Sequence, residues 1–349
     1  MLMADDFFRG KSVLVTGGAG SIGSQISRSL LNFEPKVVRI LDIDEARLFE
    51  LTRELTSHPN VRFLIGDVRD KERIKRAIEN IDIVFHAAAL KHVPSCEYNP
   101  FEAVKTNVLG TQNVIEAAID AEVEKFMTIS TDKAVNPVNV MGATKLLAEK
   151  LTISANYYKG PRKTVFSCVR FGNVLGSSGS VVPIFLSQIK KGGPITITDP
   201  EMTRFVMNMD RAVELVFKAT KIAEGGEIFI FKMPAVRIGD LAEAIKEELA
   251  ENYPAGSIIT RIIGMRPGEK FHEELMTEEE SLWAEETEEM FIVRPPVELP
   301  DVMLKKPGEI LREPITQTSL GERKRLVSKD AHLLTKEQIK TLLKGSGVI

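Results

Sequence analysis

The run Ser130-Thr131-Asp132-Lys133 sets a hydroxyl, a carboxyl and an amine on consecutive residues at the end of an apolar stretch. These are groups that move protons. A carboxyl kept protonated by burial can donate one, and a lysine whose pKa falls on desolvation can accept one. Further along, "GATK" ends in a second cation, Lys145, and four residues before it stands Met141. A thioether neither gives nor takes a proton, so any proton chemistry here has to run through Thr131, Asp132 and Lys133.

A second constellation lies near the start. "TGGAGSIGS" (Thr16–Ser24) carries Gly17, Gly20 and Gly23 in the pattern G-x-x-G-x-x-G. It follows a strand-like run and opens a helix. Glycines let the backbone turn sharply against a pyrophosphate, and the free N–H groups at the helix start, around Ser21 and Ile22, meet its charge. Asp42 ends the next apolar run, where a carboxylate accepts the adenosine ribose hydroxyls and repels a 2′-phosphate. With Arg39 inside that run and no Arg at its end, NAD is expected rather than NADP. Asp44 competes for the ribose role, its alternative being a helix N-cap. Asp67 and Val68 are placed to meet the adenine. "HAAA" (His86–Ala89) supplies the small residues Ala87 and Ala88 beside the cofactor, with His86 read as structural.

The elements that must position these groups can be read from the apolar pattern. Ser12–Thr16, Val37–Leu41, Val61–Ile65, Ile81–Ala87, Lys125–Ser130 and Thr164–Phe171 are β-branched or apolar runs. Amphipathic stretches such as Glu45–Leu55 and Lys71–Asn80 alternate with them. This predicts an α/β fold with a Rossmann-type doubly wound parallel sheet, covered on both faces. After Arg170 the texture turns to Gly and Ser, so a smaller mixed α/β substrate-binding lobe is expected. The expected division is residues 1–171 for dinucleotide binding and 172–296 for the lobe, with some segments returning to the first domain, then a C-terminal extension over 297–349. Arg237–Leu249 reads as a lobe helix, Met276–Met290 as a solvated acidic face or loop, and the last residues as a terminal helix.

Composition narrows the function classes. The 349 residues are 43% hydrophobic, enough for a sizeable core, and the net charge of −3 gives no reason to expect nucleic acid. Cys96 and Cys168 have no metal or disulfide spacing, which fits a reducing cytoplasm and argues against a metal site. No signal peptide and no apolar stretch of about 20 residues is seen, so no membrane segment is expected.

Taken together, the glycine pattern, "GDVRD", "FHAAALKHVP", "NPFEAVKTNVLGTQNV", "STDKAVNP", "GATK" and "GMRPGEKFHEEL" resemble the extended short-chain dehydrogenase/reductases. Within them the chain resembles the polysaccharide-biosynthesis branch, the UDP-N-acetylglucosamine 4,6-dehydratases, from about Lys11 to about Pro296. The resemblance implies C4 oxidation of a nucleotide sugar by NAD, loss of the C5 proton, departure of the C6 hydroxyl as water and hydride return to C6. In most of the superfamily a tyrosine takes the C4-OH proton where this chain has Met141, although some members also carry methionine. The resemblance makes Asp132 the acid at C6, Lys133 the base at C5 and Thr131 the partner of the C4 oxygen. It leaves Lys145 to hold the nicotinamide ribose.

On the sugar-nucleotide side the resemblance implies contacts from Lys91 and, near it, His92. Asn173 would meet the diphosphate or sugar, with Ser180 and Val181 near the nucleotide. Arg204 and Arg266 would meet phosphate and Glu269 the uridine ribose; His272 is open between pocket and structure. Two rivals stand beside this reading: a UDP-sugar 4-epimerase on the same scaffold, and a non-catalytic NAD-sensing protein. The helix-like segments Phe101–Ala121 and Val140–Tyr158 resemble the superfamily's subunit contact, so a homodimer or larger homo-oligomer is expected.

Overall fold

The apolar runs pair side by side in the computed structural model, which describes residues 6–249, 258–294 and 324–347. Six of them form parallel strands: β1 (Ser12–Thr16), β2 (Val37–Asp42), β3 (Val61–Ile65), β4 (Ile83–His86), β5 (Lys125–Thr131) and β6 (Val165–Phe171). Their spatial order is β3-β2-β1-β4-β5-β6. Every residue of β1 and β4 is buried, as a sheet covered on both faces requires. The strand order reverses between β1 and β4, and ligands of such sheets bind at the carboxyl ends beside that switch point. The glycine loop, "HAAA" and "STDK" all follow strands at that end.

Helices cover both faces, and their starts are written in the sequence. The carboxylates of Asp44 and Asp70 accept from the backbone N–H of Arg47 and Arg73, capping the helices Glu45–Glu54 and Lys71–Ile78. The helix Val140–Tyr158 is capped by Asn139, which accepts from Gly142 N. The segment expected as one helix over 101–121 is broken. A short helix, Pro100–Ala103, leads into a π-helical stretch, Val104–Leu109, and then the helix Gly110–Asp120. The wider turn brings the Asn107 side chain inward. There it donates to Leu90 O and Thr144 Oγ1 and accepts from Leu90 N, fixing the chain that leaves β4.

Three strands from the later chain return to the main sheet. Ile228–Phe231 adds parallel to β6, followed by antiparallel Met290–Val293 and Ala284–Glu286, giving nine strands. This refines the reading of 276–290 as a solvated face or loop: Glu278, Glu279, Glu285, Glu286 and Glu288 are exposed, but the run is not a loop. The run is acidic, but it holds the short helix Glu278–Ser281 and two sheet strands, and Met290–Val293 is fully buried. On the strand Ala284–Glu286 only Ala284 is buried, and Glu285 and Glu286 are exposed.

The smaller lobe has its own apolar cluster, including Val182, Phe185, Leu241, Ile245, Ile339 and Leu343. Asn173–Val174, Thr203–Met207 and Ala235–Arg237 form one small sheet, and Ile195–Ile197 pairs with Thr260–Ile262. The helix Ile238–Leu249 packs on the terminal helix Lys336–Gly345, which Thr335 and Gln338 start with a capping box. The described end of the chain is therefore part of the lobe. The expected end of the resemblance at Pro296 and the start of the expected extension lie outside the described residues.

Candidate active site

The glycine loop and β4 meet closely. Gly17 has φ +65°, and a Cβ there would lie 2.5 Å from Ala88 N. The positive φ and this close approach to the backbone of Ala87 and Ala88 both require glycine at 17. Gly20 caps the helix Ser21–Leu30 without a side-chain hydrogen bond, so its first N–H groups face outward, available to a phosphate. Asp42 is fixed against this loop, accepting from Ala19 N at 2.9 Å and from Asp44 N at 3.0 Å. Asp67 is tied to Arg69: burial raises the carboxyl, and the Arg69 guanidinium more than reverses this, holding it below the usual range. Val68 is buried beside it.

His86 is structural. The Thr111 hydroxyl donates to Asn107 O, so it accepts from His86 Nε2, and His86 Nδ1 accepts from Thr16. Complete burial, with the Lys145 charge nearby, pushes its pKa down to about 3, so the ring is neutral.

A cavity of about 360 Å3 opens above these elements, a size suited to a small-molecule site. Ile22, Ala87, Lys91, Ser130, Thr131 and Lys145 are among its walls. The glycine cradle, the fixed Asp42 and this cavity fit a dinucleotide. Lys145 is buried and donates to Ile129 O at 2.6 Å; burial lowers its pKa. Met141, 3% exposed, packs on Cys96 and Ala103 while closing one side of the cavity. Ser21 contributes differently from expectation: its hydroxyl accepts from Ser178 N at 2.9 Å, joining the loop start to the Gly/Ser segment of the lobe.

The proton-moving groups sit at the end of β5. The Thr131 hydroxyl donates to Asp132 Oδ1 at 2.9 Å, and Lys133 Nζ donates to the same oxygen at 2.9 Å. Asp132 is fully buried, and burial raises its pKa, as the acid role requires. For Lys133 the structure corrects the expectation of a lowered pKa. Burial does lower it, but the carboxylates of Asp132 and Glu273, the latter at 3.2 Å, more than reverse this and hold it well above the usual range. Lys133 rests as an ammonium. Gly142 is needed for this turn, because a Cβ there would lie 2.2 Å from Lys133 O.

Glu273 was not singled out from the sequence. It comes from "GEKFHEEL", distant in the chain, and no spacing rule links it to "STDK". Also missed was a buried ion pair just behind the site. Arg170, 1% exposed, donates to Glu149 and to Glu280, while the Ser130 hydroxyl donates to Glu149.

A second cavity, about 280 Å3, adjoins the first in the lobe and shares Lys133, Asn173 and Ser180 with it. Its walls bring together the expected Asn173, Ser180, Val181, Arg204, Arg266 and Glu269. Lys91 and His92 are exposed at the mouth of the first. Arg204 is less open than expected. It is 8% exposed, and its terminal nitrogens donate to Thr203 O, Phe271 O and Lys270 O. Arg266 is exposed at the rim, and Glu269 accepts from its backbone N–H. His272 bonds Thr203 through Nδ1, a structural contact outside both cavity walls. Among the described residues, six buried side-chain polar atoms have no partner, and four of these belong to the site: Asp132 Oδ2, Asn173 Oδ1, Ser180 Oγ and Glu273 Oε2. Buried polar groups are normally satisfied, so this concentration marks a place for a polar ligand.

Known proteins share this architecture. The polysaccharide biosynthesis protein family matches residues 13–295. An uncharacterized membrane protein of Methanocaldococcus jannaschii is 60% identical over 97% of both chains. Among the described residues, no helix is long and apolar enough to cross a membrane. A UDP-N-acetylglucosamine 4,6-dehydratase (inverting) of Campylobacter jejuni is 44% identical over 84% of this chain and 86% of its own. A UDP-glucose 4-epimerase of Rickettsia conorii is 42% identical over 81% and 83%. Of solved structures, Pen from Bacillus thuringiensis superposes with a TM-score of 0.88, at 45% identity over 97% and 98% of the two chains. The UDP-glucose 4-epimerase of Thermus thermophilus, a complex with NAD, gives 0.63 at 26% identity over 74% and 88%. With its doubly wound sheet, glycine loop and adjoining lobe, the chain belongs to the polysaccharide biosynthesis protein family of extended short-chain dehydrogenase/reductases.

Proposed function

We propose that the protein is an NAD-dependent 4,6-dehydratase of UDP-N-acetylglucosamine, making a UDP-4-keto-6-deoxy sugar for surface polysaccharide or glycan assembly. The observation that carries this is the contact of Thr131 and Lys133 with the buried Asp132, Lys133 lying where the two cavities meet. An epimerase needs no acid and base for C6 and C5; this site has a carboxyl and an amine in contact. NAD, held by the glycine loop and Asp42, would accept the C4 hydride and return it at C6. Lys145 would orient the nicotinamide ribose.

The replacement of tyrosine by Met141 then has a chemical answer. During C4 oxidation the hydroxyl proton passes through Thr131 to Asp132, along the hydrogen bond already present. Asp132, whose burial favours the neutral form, then gives that proton to the departing C6 hydroxyl. One carboxyl serves both steps, and the proton leaves in water. Lys133 removes the C5 proton, which the 4-keto group has acidified. Asn173, Ser180, Val181, Arg266 and Glu269 line the expected nucleotide-sugar side, with Lys91 at the mouth and Arg204 shaping the wall.

The test is incubation with UDP-N-acetylglucosamine in deuterium oxide, followed by NMR. Water loss and deuterium at C5 are expected. The relatives named UDP-glucose 4-epimerase support a second reading, in which hydride returns to C4. A product that keeps its C6 hydroxyl and is inverted at C4 would establish it. Retained NAD without sugar turnover would instead support a sensing protein. We further infer a homodimer or larger homo-oligomer. The buried free cysteines Cys96 and Cys168 support action in a reducing compartment, the cytoplasm.

A further inference from the structure

The dehydratase reading leaves one proton unaccounted for. Lys133 rests as an ammonium, yet it must be neutral to remove the C5 proton. Asp132 cannot relieve it at that stage, because Asp132 has just taken the C4-OH proton. Solvent is a poor sink inside a site filled by substrate.

Glu273 is the group in reach. Its Oε1 lies 3.2 Å from Lys133 Nζ and 3.9 Å from Arg204 Nε. It is 2% exposed, and its backbone is clamped on both sides by Ser328: N donates to Ser328 Oγ, and O accepts from Ser328 N. Its other oxygen, Oε2, is buried with no partner among the described residues. A carboxylate satisfied on only one oxygen is a better proton acceptor than one satisfied on both.

We propose that Glu273 is the proton reservoir for Lys133, a positioning residue that makes Lys133 a base at C5. The inference rests on the dehydratase reading. The ammonium proton of Lys133 moves across the 3.2 Å ion pair to Glu273 Oε1, leaving a neutral amine beside a neutral carboxyl. In a site emptied of water this neutral pair is favoured over separated charges. The C5–H bond then breaks and its proton binds Lys133 Nζ, while the C5 electron pair forms the double bond that expels the C6 hydroxyl, protonated by Asp132. After hydride arrives at C6, Lys133 protonates C5. Glu273 returns its proton to Lys133, and the ion pair seen here is restored. The other charged groups facing this pair are Asp132, Arg204 and Lys270; burial raises Glu273, and the cations Lys133, Arg204 and Lys270 together more than reverse this and leave it anionic at rest.

Glu273→Gln keeps the shape and a hydrogen bond but cannot take a proton. With UDP-N-acetylglucosamine in deuterium oxide, formation of bound NADH should be preserved, while C5 exchange at neutral pH should fall on the order of 10²-fold. Raising the pH should restore exchange in the variant, because Lys133 must then lose its proton to solvent; wild type should show no such rise. A merely structural role would depress exchange at every pH. Unchanged exchange, a loss without recovery, or NADH formation lost in parallel would overturn the proposal. If Glu273→Gln lacks the wild-type melting transition, Glu273→Asp makes the test, with partial exchange expected at neutral pH and none overturning it. A wild-type enzyme showing neither C5 exchange nor water loss would overturn the dehydratase reading itself, and this role with it.

Discussion

Lys133 shows how a residue's type leaves its charge open. The same amine is a neutral base or an ammonium according to its neighbours, and here two carboxylates decide. Lys133→Ala should let the 4-keto stage form, so bound NADH accumulates, while C5 exchange and water loss fall about 10²–10⁴-fold. Asp132→Asn should slow both NADH formation and water loss, because one carboxyl serves both; stopped-flow absorbance with NMR separates the two readouts. Met141→Ala should spare turnover and lower stability instead. A buried methionine cut to alanine costs about 2–5 kcal/mol, and the lost contacts are with Cys96 and Ala103. Turnover abolished by Met141→Ala but intact in Lys133→Ala would refute the proton route through Asp132 and Lys133.

Elements hold these groups through buried polar contacts between segments far apart in the chain. Arg170 on β6 joins Glu149 of the helix Val140–Tyr158 to Glu280 of the short helix Glu278–Ser281. Removing Glu280 should cost near the low end of about 3–5 kcal/mol, since Glu149 still pairs the buried guanidinium. Burial pushes the Glu280 carboxyl up, but Arg170 more than reverses this and holds it below its ordinary value of 4.5. The sign follows. The stabilisation is full above that value and is lost as pH falls through the depressed folded-state value. Urea melts of wild type and Glu280→Gln should therefore converge as pH drops below 4.5. The six parallel strands were legible as apolar runs. The strands Ala284–Glu286 and Met290–Val293 were not, because each is short and flanked by acids.

At the scale of the whole molecule, apolar side chains remain exposed on the two long helical segments. Phe101 is 80%, Leu147 50% and Tyr158 81% exposed. Such residues on neighbouring helices support the inferred self-association. Light scattering at micromolar concentration should show a dimer or larger; a monomer alone would contradict it. Cofactor choice also belongs here, because Asp42 acts only through the loop that clamps it. Asp42→Ala should weaken NAD and raise the relative affinity for NADP, read by titration of the two cofactors.

Local patterns settled a great deal in this chain. Strand period, glycine spacing and capping residues act within a few neighbours, so "TGGAGSIGS", Asp42, Asp44 and "STDK" could be placed on their elements from the sequence. Long-range packing decided the rest. The partners of Lys133, the saturation of Arg204 by backbone carbonyls and the return of Met290–Val293 to the main sheet depend on segments far apart in sequence. Electrostatics falls in the same class. The charge on Lys133 is set by what lies within about 3 Å of it in space, and Glu273 reaches that distance only once the lobe has folded against the end of β5.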